Sequence, residues 1–338
     1  MVTMKDVARS AGVSLGTVSH YLNDRVPVSS ETSARIRNAV DVLGYRVDQG
    51  ARSLRRRQTK TVGLIVPNIS NPFYAELARV LEHHLWNAGF QTFLCNSAHD
   101  AAREQAHFTS LLERRADGIL AIYGDEASSL PELAAATATP VVFLDRPVAG
   151  QRSVASDNLL GGGLAAQHLL ALGHTRIGVL VGDPEVANIR ARIAGFTGAL
   201  AEAGVTLTDE YVRCGAQNLA LGERAAELMS LTAPPTAIFA TNDIVAVGAW
   251  RTLLALAYRL PSDVSLIGFD DIELGRLLLP PLTTVAQNII ALGEGAAGLL
   301  LELLASPGAQ ETNVQNIVAP PHLIPRASTA PVREGSDM

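Results

Sequence analysis

The 338-residue sequence is poor in cysteine: Cys95 and Cys214 are its only two, and neither has a second ligand at metal spacing. That excludes a disulfide scaffold and a zinc finger, and reduced thiols in a cytoplasm are expected. Aromatic residues amount to 5% and charged residues to 18%, against 48% hydrophobic. Such a balance excludes a disordered chain and suits large buried cores. Long apolar runs are missing too, since none reaches the roughly 20 residues of a membrane span uninterrupted. At the start, MVTMKDVARSAG sets Lys5, Asp6 and Arg9 ahead of any apolar block, so no signal peptide is expected.

Signatures of catalysis are equally sparse. There is no P-loop, no GxSxG nucleophile elbow and no HExxH pair. The Gly161-Gly162-Gly163 run lacks the strand-then-GxGxxG setting of a dinucleotide site and suits close helix packing instead. His83 and His84 are neighbours on one helix and point apart, which disfavours a shared metal. Neither an enzyme, nor a cofactor, nor a metal is expected.

What the chain does have is an uneven charge. Residues 1–60 hold eleven Lys and Arg against five Asp and Glu, leaving sixteen against twenty-eight for the rest. A basic head on an acidic body implies that the head, not the body, meets a polyanion.

Within the head, Thr3 and Asp6 make a capping-box-like start for a helix to about Ser10. Gly12 breaks it, and Ser14 is a good N-cap for a second helix through Leu22. Small Ala8 at the crossing, with Val7, Val13 and Val18 between the helices, fits a helix-turn-helix. Ser29 and Ser30 open a third helix to about Leu43, with Ile36, Val40 and Leu43 on its apolar face. The second helix presents Leu15, Gly16, Ser19 and His20 outward, with Ser14 and Thr17 near phosphates; Thr3 completes the candidate DNA-facing set. A purely structural three-helix bundle would satisfy the same packing.

Beyond Thr61, short β-rich runs alternate with helical patterns. VGLIVP, QTFLCN, GILAIY, PVVFLD, RIGVLVG, TAIFAT and SLIGFD read as buried strands, which implies parallel sheets flanked by helices. Some ten strand candidates are too many for one compact sheet, so two sub-domains are expected. Ligands in such folds sit at the carboxyl ends of strands. There the sequence places Asn68, Ser70, Asn71, Phe73 and Tyr74, then Asp145 and Arg146, then Asp157, then Arg190 and Arg192, then Asn242, Asp243, Asp270 and Asp271. Amides, carboxylates, arginine and an aromatic ring suit a polyhydroxylated molecule. Asp243 and Asp271 could equally cap helices, and Arg146 could form a lobe-linking ion pair.

TMKDVARSAGVSLGTVSHYLN, then VSSETSARIRNAVDVLGY, ARSL and TKTVGLIVPNISNPFY, resemble the LacI/GalR family of bacterial transcription regulators, and the likeness covers essentially the whole chain. It implies a small all-α helix-turn-helix head at 1–46, a hinge at 47–60 and an α/β two-lobed periplasmic-binding-protein-like body at 61–330. The N-lobe would be 61–157 with 288–318 and the C-lobe 158–287 with 319–330, before a polar tail at 331–338. By motif, Arg192 of RARIAGF, Asn242 of the ND pair and Asp270 of GFDD match the family's effector contacts, with Phe73 and Asp157 added to the set. The resemblance also implies a homodimer on palindromic double-stranded operator DNA, a cytoplasmic location without membrane contact, and control by a small molecule, most typically a sugar. A repressor of a sugar-utilisation operon is the expected role. An α/β enzyme with a fused DNA-binding head, or a regulator without an effector, are the alternatives.

The segment GARSLRRRQTK acquires a meaning in that frame. A single leucine among four arginines suits a hinge that folds on DNA, with Leu54 as a minor-groove wedge and Arg55 and Arg56 on the flanking phosphates. Docking of Leu54 onto the chain's own N-lobe is the other reading.

Overall fold

The computed structural model describes residues 2–22, 28–45, 58–124, 128–306 and 316–333. The hinge candidates Leu54, Arg55 and Arg56 lie outside them. By contacts the chain divides into Met1–Thr59 and Lys60–Met338.

In the first unit, α1 (Met4–Ala11), α2 (Leu15–Leu22) and α3 (Ser30–Leu43) bury Val7, Ala8, Ala11, Val18, Ile36 and Ala39 in a small core. The Asp6 carboxylate accepts from the Thr3 amide at 3.0 Å and its hydroxyl at 2.7 Å, which starts α1. Those bonds hold the Asp6 carboxyl below its usual range. Gly12 ends α1 at φ 61°, a conformation that glycine adopts without Cβ strain. The turn is clamped by Arg35 of α3, which donates from Nε to the Ala11 carbonyl at 3.0 Å and from Nη2 to that of Gly12 at 2.8 Å.

The second unit holds two six-stranded sheets. The N-lobe runs β1 (Thr61–Val66), α4 (Pro72–Asn87), β2 (Gln91–Asn96), α5 (Ala101–Glu113), β3 (Gly118–Ala121), α6 (Leu130–Ala135), β4 (Val141–Leu144) and β5 (Ser153–Ser156). The C-lobe follows with α7 (Asn158–Ala171), β6 (Ile177–Val181), α8 (Ala187–Glu202), β7 (Val212–Cys214), α9 (Leu219–Glu223), α10 (Ala225–Met229), β8 (Ala237–Ala240), α11 (Asp243–Ala255), β9 (Ser265–Asp270), α12 (Glu273–Arg276) and β10 (Thr283–Ala286). The chain then returns to the N-lobe as α13 (Ile289–Ala305) and β11 (Asn316–Ala319), and β12 (His322–Ile324) closes the C-lobe. Three crossovers therefore join the lobes.

Strand orders are β11-β5-β4-β3-β1-β2 and β12-β10-β9-β8-β6-β7. All pairs are parallel except β10 with β12. Side-chain alternation sorts each strand between two faces. Val62, Leu64 and Val66 of β1 join the cluster beneath α4 and α13, while Ile65 joins the one beneath α5 and α6. In β8, Ile238 and Ala240 face α11, and Ala237 and Phe239 face α7 and α8. Buried on both faces, these strands read as continuous apolar runs rather than alternating ones. Two C-lobe residues cross over: Ile272, just after β9, is buried in the N-lobe cluster, and Ile244 of α11 packs against it half-buried.

The glycine run packs α7 on α8. A Cβ at Gly162 would stand 1.9 Å from the Arg192 carbonyl oxygen, so only glycine lets the backbones approach this closely. That contact sets where α8 lies, and with it Arg192.

Candidate functional site

Between the carboxyl ends of the two sheets lies a cleft of about 220 Å³, lined by Asn71, Phe73, Tyr74, Asp145, Asn188, Arg192, Gln217, Asn242, Asp270 and Gln287. The ends of β4 and β9 each supply a carboxylate. Asp145 and Asp270 both have positive φ, 74° and 116°, a strained conformation that turns the chain out of the sheet.

Asp270 belongs to a chain of polar contacts in the C-lobe. Its Oδ1 accepts from Gln287 Nε2 at 2.6 Å and lies 3.5 Å from Arg192 Nη1. Arg192, only 3% exposed, donates from Nη1 to the Thr241 carbonyl and from Nε to Asn158 Oδ1, both at 2.7 Å. Its guanidinium also lies over the Phe269 ring, 3.8 Å from the centroid. Burial pushes the Asp270 carboxyl up to about 7, against the opposing pull of Arg192 and Gln287.

Asp145 sits across the cleft. Its Oδ2 accepts from Tyr74 Oη at 3.3 Å and from Asn188 Nδ2 at 2.7 Å. Because Asn188 lies on α8, that second bond joins the lobes directly. Burial raises the carboxyl of Asp145, and burial with the neighbouring Asp145 raises the Tyr74 phenol well above its ordinary value, so the phenol stays a donor. Phe73 stands edge-on to Tyr74 with centroids 5.3 Å apart. Asn242 is the N-cap of α11, its Oδ1 accepting from the Val245 amide at 2.9 Å.

On the head, α2 turns Ser14, Leu15, Gly16 and His20 to the surface while Val18 is fully buried, and Thr17 and Ser19 are half-buried. Leu15 is 42% exposed, which is unusual for an aliphatic side chain on so small a core. Ser14 Oγ accepts from the Thr17 amide at 3.0 Å and so starts the helix. Thr3 is exposed at the start of α1.

Comparison with known proteins decides the family. Residues 3–48 match the profile of "Bacterial regulatory proteins, lacI family", and residues 166–329 that of "Periplasmic binding protein-like domain". Over 319 residues the chain is 37% identical to the ribose operon repressor of Escherichia coli strain K12, covering 93% of this chain and 97% of that one. The chain belongs to the lacI family. It is accordingly a DNA-binding transcriptional regulator. Two solved structures of the family are similar along most of their length. One is a lac repressor dimer bound to operator and the anti-inducer ONPF, with TM-score 0.86, 27% identity, and 97% and 99% of the two chains covered. The other is a LacI family regulator from Enterococcus faecium with bound ribose, with TM-score 0.71, 32% identity, and 81% and 100% covered.

In this lacI-family chain, four of the five sequence-derived cleft residues gather: Phe73, Arg192, Asn242 and Asp270 all line the cavity. Asp157 does not line it. Strand β5 ends at Ser156, so the next carboxylate falls at the N-cap of α7, where Oδ1 accepts from the Leu160 amide at 2.9 Å. Arg146 stacks on Tyr123 at 3.4 Å and donates to that residue's carbonyl at 3.2 Å, both contacts within its own lobe. The capping role considered for Asp243 belongs to Asn242; Asp243 is buried, accepting from Thr284 Oγ1 at 2.7 Å and the Ile272 amide at 2.9 Å. Sequence reasoning missed Asn188, Gln217 and Gln287. Asn188 is one helical turn before Arg192 and could have been found from that spacing; Gln287 follows the short strand β10, and Gln217 follows the still shorter β7. Among the described residues, no group of three or more His, Cys, Asp or Glu could hold a metal, and no helix is long and apolar enough to cross a membrane.

Proposed function

We propose that this regulator is a cytoplasmic repressor that binds a palindromic operator as a homodimer, and that a single-ring sugar in the cleft controls it without being turned over. The observation that carries this reading is the cleft itself. Carboxylates, amides, one guanidinium and two aromatic rings converge from both lobes on one cleft, the donor and acceptor set that a polyhydroxylated ligand needs. Phe73 covers the apolar face of the ring, and Arg192, Asn242 and Asp270 meet its hydroxyls. The relatives support the class, since one is named for a ribose operon and another holds ribose.

On the operator, Leu15 meets a thymine methyl, Gly16 allows close approach and His20 makes the polar base contact. Ser14, Thr17, Ser19 and Thr3 border the phosphates. Leu54, Arg55 and Arg56 are assigned to the minor groove by the sequence alone. A two-fold dimer presents α2 to each half-site.

Operator gel shifts against a panel of monosaccharides test the reading. At least one sugar should change operator affinity about tenfold or more, the range of ordinary allosteric coupling, and should be recovered unchanged. An operator affinity indifferent to every sugar would remove the effector, and a chemically altered sugar would restore the enzyme alternative.

A further inference from the structure

The cleft has a chemical polarity that bears on which form of a sugar it accepts. Three buried side-chain oxygens on its wall have no hydrogen-bond partner: Asp145 Oδ1, Asn188 Oδ1 and Gln287 Oε1. The amide orientations of Asn188 and Gln287 are fixed by their nitrogens, which donate to Asp145 and Asp270. All three orphans are therefore acceptors, and a buried acceptor left unpaired is costly. A ligand that brings donors satisfies them.

The charge points the same way. Two carboxylates line the cleft against a single guanidinium, and that guanidinium stands beside Asp270. Arg192 and Arg146 both act on Asp145, but Arg146 is stacked on Tyr123 and does not line the cleft, so two carboxylates share the one guanidinium there. Two helix N-termini also open here and would attract an anion. Their caps oppose this: Asn71 Oδ1 accepts from the Phe73 amide and Asn242 Oδ1 from the Val245 amide. The oxygens already hold amides that a phosphate would need.

Resting on the reading of this cleft as the effector site, we infer that it takes a free, unphosphorylated sugar and rejects the monophosphate of the same sugar. Three hydroxyls donate to Asp145, Asn188 and Gln287. A phosphate there would place acceptor against acceptor and add negative charge to a wall with a carboxylate to spare. A phosphoryl-transfer reaction that consumes the sugar would then erase the signal, so the regulator reads the sugar before that step.

Calorimetry on the full-length protein with D-ribose, D-fructose and D-glucose, each beside its monophosphate, tests this. At least one free sugar should bind, and its monophosphate should bind about 100-fold more weakly or not at all. Asp145→Asn, which fits the positive φ, should narrow that ratio by weakening the free sugar and relieving the charge repulsion. A monophosphate that binds as tightly as its parent, or an unchanged ratio in Asp145→Asn, overturns the inference while leaving a sugar effector in place. Failure of every sugar and monophosphate to bind, in a protein that still shifts operator, overturns the effector reading and the inference together.

Discussion

The two lobes are near copies in topology, with six strands in corresponding order, yet their strand-end carboxylates are treated differently. Asp270 of the C-lobe lies beside Arg192 and accepts from Gln287. Asp145 of the N-lobe feels Arg192 and Arg146 only through space and takes its hydrogen bonds from two neutral donors, Tyr74 and Asn188. One carboxylate is neutralised inside its own lobe and the other is held by a hydrogen bond from across the cleft. The lesson is a division of labour: the C-lobe is organised by itself, whereas the N-lobe wall is completed by contact with its partner lobe.

If that division is right, removing the cation should do the most damage. Arg192→Met leaves Asp270 buried without its countercharge and should cost about 3–5 kcal/mol in urea unfolding. A loss below 1 kcal/mol would mean that Asp270 does not need Arg192. Next comes Gly162→Ala, which forces α8 away from α7 and should cost about 2–3 kcal/mol while weakening sugar binding through the displaced Arg192.

A smaller effect follows from protonation. The folded-state pKa of Asp270 is raised to about 7 by burial, from 3.8. A carboxyl raised on folding contributes stability that is fully present below its unfolded value and is lost as pH rises through its folded value. Between pH 6 and 8 that loss is about 1.4 kcal/mol for a group titrating near 7. Asp270→Asn has no such proton to lose, so its stability relative to wild type should improve by this amount across the window. A difference flat with pH would show that Asp270 is ionised throughout. Least costly is Asn188→Ala, which removes the cross-lobe bond and should lower the melting free energy by only about 1 kcal/mol. Its larger effect should be on the cleft, measured as faster hydrogen exchange at Asp145 and Tyr74.

The architecture was legible because the body's strands are buried on both faces and announce themselves as apolar runs. The candidate cleft was legible where a polar residue directly follows such a run, as Asp270 follows SLIGF and Asn242 follows TAIFAT. It was illegible where the strand is short or half-exposed, as with β7 before Gln217, or where the residue sits on a helix, as Asn188 does. Asp157 shows the converse hazard. A carboxylate after a strand is also a carboxylate before a helix, and local backbone amides claimed it ahead of any ligand. No local pattern announces the bond between Asn188 and Asp145, which spans 43 residues and two lobes.

Ile272 gives the motion of the lobes a direction. It is 3% exposed in the apolar interior of the opposite lobe, and its amide is tied to Asp243. Pulling the lobes straight apart would strip that side chain to water at a cost of about 2 kcal/mol. Rocking about it would leave the peg seated while the Asn188 bond at the cleft gives way. The residue that immediately follows the two strand-end aspartates thus pins the Asp270 side of the cleft into the core of the opposite lobe, two residues away along the chain.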